Sequence, residues 1–257
     1  MRHLLAFLLA LLPLAAGEAL ADSKETLDAA RAAYYSLRRE GLASFSCLVT
    51  PNWDLLLASR WRTDPAAAAK AYKTLSSLTF GVEVAPGQRP KVVHADVPGS
   101  DSESDSLKRL VGGMEQTVGG FFDTWAPFVM TTPIPGAAAE VTQTHGVWVV
   151  DLKEGTTQIG LVMRQDYTIE STRILTATFA SVIQPQFIKS PKGLLLTAVQ
   201  GSFRKLPDGP PVSLQLRIEY QDVSGFMLPK RLHVSSNDGH TVGLMDLGFG
   251  TCQAHRR

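Results

Sequence analysis

Cysteine is almost absent from this chain. Its 257 residues hold two, Cys47 and Cys252, which excludes a Cys-x-x-Cys redox motif and any cysteine-rich zinc site. Other catalytic patterns are missing as well. The sequence has no Gly-x-Ser-x-Gly elbow, no His-Glu-x-x-His helix and no Gly-x-x-x-x-Gly-Lys phosphate loop. His94, His145, His233, His240 and His255 lie far apart with no matching ligand set beside them, so they read as surface or hairpin residues. Asp101, Glu103 and Asp105 alternate without the glycine and terminal glutamate of a calcium loop, and helix capping explains them better. An excess of one charge is also lacking. Lys and Arg total 25 against 24 Asp and Glu, for a net charge of +1, and they are scattered. Nucleic-acid binding usually leaves a basic stripe, so that partner is excluded. Neither asparagine begins an Asn-x-Ser/Thr site, which favours a bacterial periplasm over a glycosylating secretory route.

The one long apolar run is at the start. MRH precedes LLAFLLALLPLAA, and Ala19-Leu20-Ala21 offers small residues where a signal peptidase cuts. Residues 1–21 therefore read as a signal peptide with cleavage between Ala21 and Asp22; an uncleaved anchor would need roughly 20 apolar residues. No cysteine sits near the cut to accept a lipid. The mature product is expected to be periplasmic or secreted, about 235 residues long, and folded as a single domain over residues 22–257. In that oxidising setting Cys47 and Cys252 are a candidate disulfide, with two unpaired buried thiols as the alternative. The pairing expects the first and last strands to meet.

The first half is helical in character. SKETLDAARAAYYSLRREG (23–41) puts Leu27, Ala30, Tyr34 and Leu37 on one face, with Ser23 or Thr26 as cap and Gly41 as terminator. LASFSCLVT reads as a first strand and PAAAAKAYKTLSSL (65–78) as a second helix. TFGVEV and KVVHADV form a hairpin around APGQRP. From about Glu140 the period becomes two. SLQLRIEYQD alternates cleanly, and GVWVVDL, TQIGLVMR, DYTIESTRIL, ATFASVIQ, LLLTAVQGSF, KRLHVSS and TVGLMDLGFG are further strands. Lys153-Glu154-Gly155, Pro191-Lys192-Gly193, Pro207-Asp208-Gly209 and Asn237-Asp238-Gly239 supply the turns. No helical stretch recurs between these strands to build parallel crossovers. The expected fold is α+β: a large, curved antiparallel sheet whose apolar face is covered by the N-terminal and mid-chain helices. No internal repeat is evident.

Between the halves lies VGGMEQTVGGFFDTW (111–125), a helix expected to stop near Pro127. On a 100° wheel Leu110, Val111, Met114, Val118, Phe121, Phe122 and Trp125 all fall within about 60° of Leu107. Gly112, Gly113, Gly119 and Gly120 fall on the far side. Either a second element packs flat on that back, or the glycines leave the helix intrinsically weak, by roughly 3–4 kcal/mol relative to alanine. A weak helix whose shape depends on burial suggests a lid over an apolar sheet. An ordinary core helix and a membrane-surface helix are the alternatives.

Four stretches resemble a known family. LASFSCLVT after the first helix, DYTIESTRILTATFASVIQPQF, LLLTAVQGSF and YQDVSGFMLPKRLHVSS (220–236), with its Gly-x-x-Leu-Pro, are similar in pattern to the periplasmic outer-membrane lipoprotein carrier (LolA-like) superfamily. The segment from Ser100 to Pro135 has no counterpart in that pattern, and LASFSCLVTPN holds no arginine. The resemblance implies an unclosed half-barrel whose concave face, under helices, accepts acyl chains. It implies a non-catalytic, cofactor-free, monomeric carrier of a lipid or lipid-modified protein, with room for an envelope protein partner. Leu110, Met114, Val118, Phe121, Phe122 and Trp125 are then the candidate ligand-binding residues. A structural or interaction module with a filled core, and a hydrolase with a triad built from distant residues, are the competing readings.

Overall fold

The computed structural model describes residues 23–96, 102–136 and 139–257. The expected cleavage site at Ala21 and Asp22 lies outside these residues, as do the side chains of Asp101, Ser102 and Glu103. The chain opens with helix α1 (Ser23–Ala33) and strand β1 (Leu42–Pro51). Three short helices follow, α2 (Trp53–Leu56), α3 (Ala58–Thr63) and α4 (Pro65–Leu75), then strands β2 (Phe80–Val84) and β3 (Lys91–His94). The long helix α5 (Ser102–Val129) comes next. The meander is β4 (Glu140–Thr144), β5 (Val147–Glu154), β6 (Thr157–Arg164), β7 (Ile169–Leu175), β8 (Phe179–Ser190), β9 (Gly193–Lys205), β10 (Pro211–Val223), β11 (Phe226–Asn237) and β12 (Val242–Arg256). Among the described residues no helix is long and apolar enough to cross a membrane.

All twelve strands form one antiparallel sheet in the order β3-β2-β1-β12-β11-β10-β9-β8-β7-β6-β5-β4, and it does not close. This is the α+β fold with a large antiparallel sheet that the alternation and turn chemistry predict, and the unclosed half-barrel that the family resemblance implies. The first strand does meet the last. β1 pairs with β12 from Leu42–Arg256 to Pro51–Leu247, and Cys47 and Cys252 are bonded across that seam with Cα atoms 4.1 Å apart. In β10 the predicted two-residue period holds. Leu216 and Ile218 are buried inward, while Gln215, Arg217 and Glu219 face solvent. The turn at Pro191-Lys192 joins Ser190 to Gly193, whose φ is +118°. A Cβ there would sit 2.8 Å from the backbone of Ala33, Tyr34 and Tyr35, so glycine lets the end of α1 lie directly on the sheet.

Three predicted boundaries need correction, each for a tertiary reason. The first helix does not run to Gly41; it ends at Ala33. Tyr34 then bridges Leu194 in parallel, and the Tyr35 amide bonds to the Leu194 carbonyl at 2.9 Å. The chain continues beside the end of α5, with Leu37 and Arg38 amides bonded to Val129 and Met130 carbonyls. The sheet thus takes backbone groups that the helical pattern had assigned to a helix. The mid-chain helix does not stop near Pro127 but runs to Val129. Proline removes one amide donor, yet Phe128, Val129 and Met130 are buried, and burial outweighs the loss. Strand β8 passes through Pro185. Its pairing with β7 covers only Ala180 to Ile183, so Pro185 needs no partner on that side. Helices α2 and α3, capped by the Asn52 side chain on the Leu55 amide and continued past Leu57, carry too few residues for a periodic signal.

Apolar side chains on the inner face form two adjoining clusters. The larger collects α5, the short helices and strands β1, β2 and β8–β12. The smaller sits under α1, with Leu27, Ala30 and Tyr34 against Val141, Val150, Leu161 and Met163. Tyr34 is its post. Its buried hydroxyl donates to the Tyr167 carbonyl at 2.6 Å and accepts from the Ile169 amide at 2.9 Å. Burial pushes its pKa upward, so it stays neutral.

Candidate functional site

The predicted ligand-binding stripe is one continuous face of α5, and the structure lays it on the inner face of the sheet. Met114, Val118, Phe121, Phe122 and Trp125 are all buried, Val118 and Phe122 completely. Phe122 meets Phe249 of β12 edge-on at 5.7 Å and Phe45 of β1 at 5.9 Å. Trp125 crosses Phe45 at 6.1 Å. Leu110 differs. It is half-buried and faces a groove between α5 and the short helices. In this conformation five of the six predicted residues are therefore core, brought together by packing, and one reaches the surface.

Two polar ties fasten α5 to the sheet. At its C-terminal half the Trp125 indole donates to the Tyr220 hydroxyl of β10 at 2.9 Å. At its N-terminal half Glu115 lies 3.0 Å from Nε2 of His94, on the edge strand β3. His94 is half of a pair that sequence spacing had set aside as a plain surface residue. Its pKa is raised above the ordinary 6.5, first by a bond to the Ala95 carbonyl, then, against partial burial, by Glu115 and the charge of Asp96. A raised folded-state pKa means the pair contributes fully below the unfolded value of 6.5 and is lost as pH rises through the folded value. Hydrogen exchange around Glu115, corrected for intrinsic rates, is expected to accelerate as pH rises through that value. His94→Gln should flatten the pH dependence; an unchanged profile in the variant would show that the tie is not what holds the segment.

The back of α5 answers the question of its glycines. A Cβ built on Gly112, Gly113, Gly119 or Gly120 meets no heavy atom within 4 Å. No element packs there among the described residues, so the close-approach explanation is excluded. The glycines also belong to a repeat that the sequence reading missed. Val-Gly-Gly-x-x-x-Thr occurs at 111–117 and again at 118–124. Thr117 donates its hydroxyl to the Gly113 carbonyl, and Thr124 does the same to Gly120, both at 2.9 Å. Such back-bonds slightly weaken and bend a helix. Counting at intervals of seven would have revealed the pattern.

Beyond α5 the inner face continues with less cover. Ile174, Phe203, Leu214, Val234 and Met245 share that face by register and stay partly exposed. Gly201, level with Ile183 and Leu214, lets the Phe203 ring fold back over it; a Cβ there would lie 3.0 Å from the ring. An apolar strip thus runs on from the helix-covered core across β7 to β12.

The outer face carries an ion cluster that sequence spacing did not show. The Asp246 carboxylate, nearly buried, accepts from Nε of Arg231 at 2.9 Å and is also bonded to its Nη2. His233 lies 3.5 Å from Asp246 and 3.6 Å from Glu219. The Arg231 bonds hold the Asp246 pKa low. Each member is bound to another, which makes this a clasp between β10, β11 and β12. Among the described residues no group of three His, Cys, Asp or Glu side chains is placed to hold a metal ion. No protein-family model, curated protein or solved structure matches the chain.

Proposed function

We propose that this chain is an exported, non-catalytic binding or carrier protein for an apolar ligand, a lipid or a lipid-modified protein, with α5 as the movable cover. One observation carries the reading. A helix held by one apolar face lies on an open sheet, while its glycine-bearing back touches nothing. An acyl chain can take the place of part of the stripe, because both offer the same apolar surface to the sheet at roughly 25 cal/mol per Å². The partly exposed strip from Ile174 to Met245 extends that surface to solvent. Residues 1–21 would direct the chain to the periplasm or the exterior, where it acts as a monomer without a cofactor. It meets the donor or acceptor of its cargo as an envelope partner.

The second reading is an interaction module with a permanently filled core, favoured by the complete burial of Val118 and Phe122. Native mass spectrometry of the mature protein, before and after solvent extraction of lipid, decides between them. The carrier reading expects co-purifying species of lipid mass that extraction removes and added lipid restores. A protein that purifies bare and takes up no lipid is the module.

A further inference from the structure

Among the described residues three buried side-chain polar atoms have no hydrogen-bond partner: Nε1 of Trp148, Oγ1 of Thr172 and Oγ of Ser181. Burying a hydroxyl without a partner costs free energy, and native proteins rarely do it. Two of the three lie close together. Thr172 of β7 is paired between Leu161 and Ile183, and Ser181 of β8 between Ile174 and Phe203. Strand alternation puts both on the inner face, where they are 7% and 5% exposed. They stand diagonally across the β7–β8 pair, their Cα atoms roughly 7–8 Å apart. Trp148 is two strands from Thr172 and about 12 Å away, too far to serve the same group. From β5 to β10 the two rows of paired residues that hold these hydroxyls contain no charged side chain. Ser181 also borders the partly exposed apolar strip, since Ile174 and Phe203 belong to it. From β8 to β12 that strip crosses four strand spacings, roughly 19 Å, which is long enough for a dodecyl chain.

We infer that Thr172 and Ser181 together bind the carbonyl oxygen of an acyl chain held in ester or amide linkage. Each hydroxyl donates to one of the two lone pairs of that oxygen. The tail lies along Phe203, Leu214, Val234 and Met245. The apolar strip alone suits any hydrocarbon; the two donors select a chain that carries a neutral acceptor at its head. A carboxylate is disfavoured, because those rows offer it no cation and it would be buried as an unpaired charge. The inference rests on the carrier reading and names the part of the cargo that is recognised.

Calorimetric titration of the lipid-extracted protein, with each probe below its self-association concentration, tests the inference. 1-Monolauroylglycerol carries the ester and N-lauroylethanolamine the amide; the tighter of the two names the source of the carbonyl. 1-O-Dodecylglycerol keeps the tail and diol of the ester but has no carbonyl, and it should bind at least tenfold more weakly. Dodecanoate, ionised at pH 8, should be weaker by a similar factor. Thr172→Val combined with Ser181→Ala should remove the preference: the carbonyl probes fall to the affinity of the ether, whose own binding is unchanged. Without ligand this variant should be at least as stable as the wild type, because no internal hydrogen bond is lost. Ether or dodecanoate binding as tight as that of the carbonyl probes overturns the site, as does a preference that survives in the variant. A ligand-free variant that melts lower than the wild type overturns it too, since the hydroxyls would then already be paired with ordered water. If every probe binds tightly and the variant changes nothing, the carrier reading stands without this site; if no probe binds, both fail.

Discussion

Replacing both Cys47 and Cys252 by alanine is expected to lower the stability of the protein by up to about 5 kcal/mol. The bond closes a loop of 205 residues, and in the chain-entropy model a loop of that length restricts the unfolded ensemble by roughly that amount. Its position concentrates the effect. The bond crosses the seam between β1 and β12, where pairing slips between Ser46 and Leu48. On one side of the seam lie β1, β2, β3 and the short helices; on the other lies the whole meander. Backbone pairing between β1 and β12, and the Asn52 amide bonded to the Asp246 carbonyl at 2.8 Å, would remain to hold the two parts together. Denaturant unfolding should therefore show a lower midpoint, with exchange rising first in β1, β2 and β3. Treatment of the wild type with reductant should reproduce the shift. An unchanged midpoint in protein shown by mass to be fully reduced would sink the prediction.

That seam also shows what was readable in the residues alone. Two cysteines far apart in the chain, the only ones it holds, pointed to neighbouring first and last strands, and the sheet order agrees. Turn residues and two-residue alternation between Val147 and Asn237 located the meander, because those signals are local. The stripe on α5 was legible for the same reason: a wheel needs only spacing. What escaped depended on distant partners. Nothing near Tyr34 states that Leu194 will take over its backbone. Pro185 reads as a strand end until β7 is seen to stop short of it. The groove beside Leu110 joins side chains some 50 residues apart, from Leu56 to Ser106, and no local pattern announces it. The His94–Glu115 tie is of the same kind. The glycines lay between these cases. Their position on the wheel was plain, but only the empty space behind them separates weakness from close packing.

Filling that space gives the other large effect. Replacing Gly112, Gly113, Gly119 and Gly120 by alanine should raise stability by as much as roughly 3–4 kcal/mol, the helix-propensity difference summed over four positions. The gain is sterically free, since each new methyl group meets no atom within 4 Å. For a chain of this size each kcal/mol raises the melting temperature by about 2–4 °C. The functional consequence follows from where the gain appears. If α5 leaves the sheet to admit an acyl chain, the released helix loses the burial that sustains it, and alanine favours the docked form over the released one. Lipid uptake and release should then slow, and affinity should fall, because ligand must undo a more stable arrangement. A permanently docked core helix predicts the same rise in stability with no change in lipid exchange. Hydrogen exchange separates the two in the wild type. Amides of α5 that open far more readily than those of β9 and β10, with opening suppressed in the alanine variant, mark a movable cover. Protection as deep as that of the central strands, with and without lipid, would mean that the glycines soften a helix that never leaves the sheet.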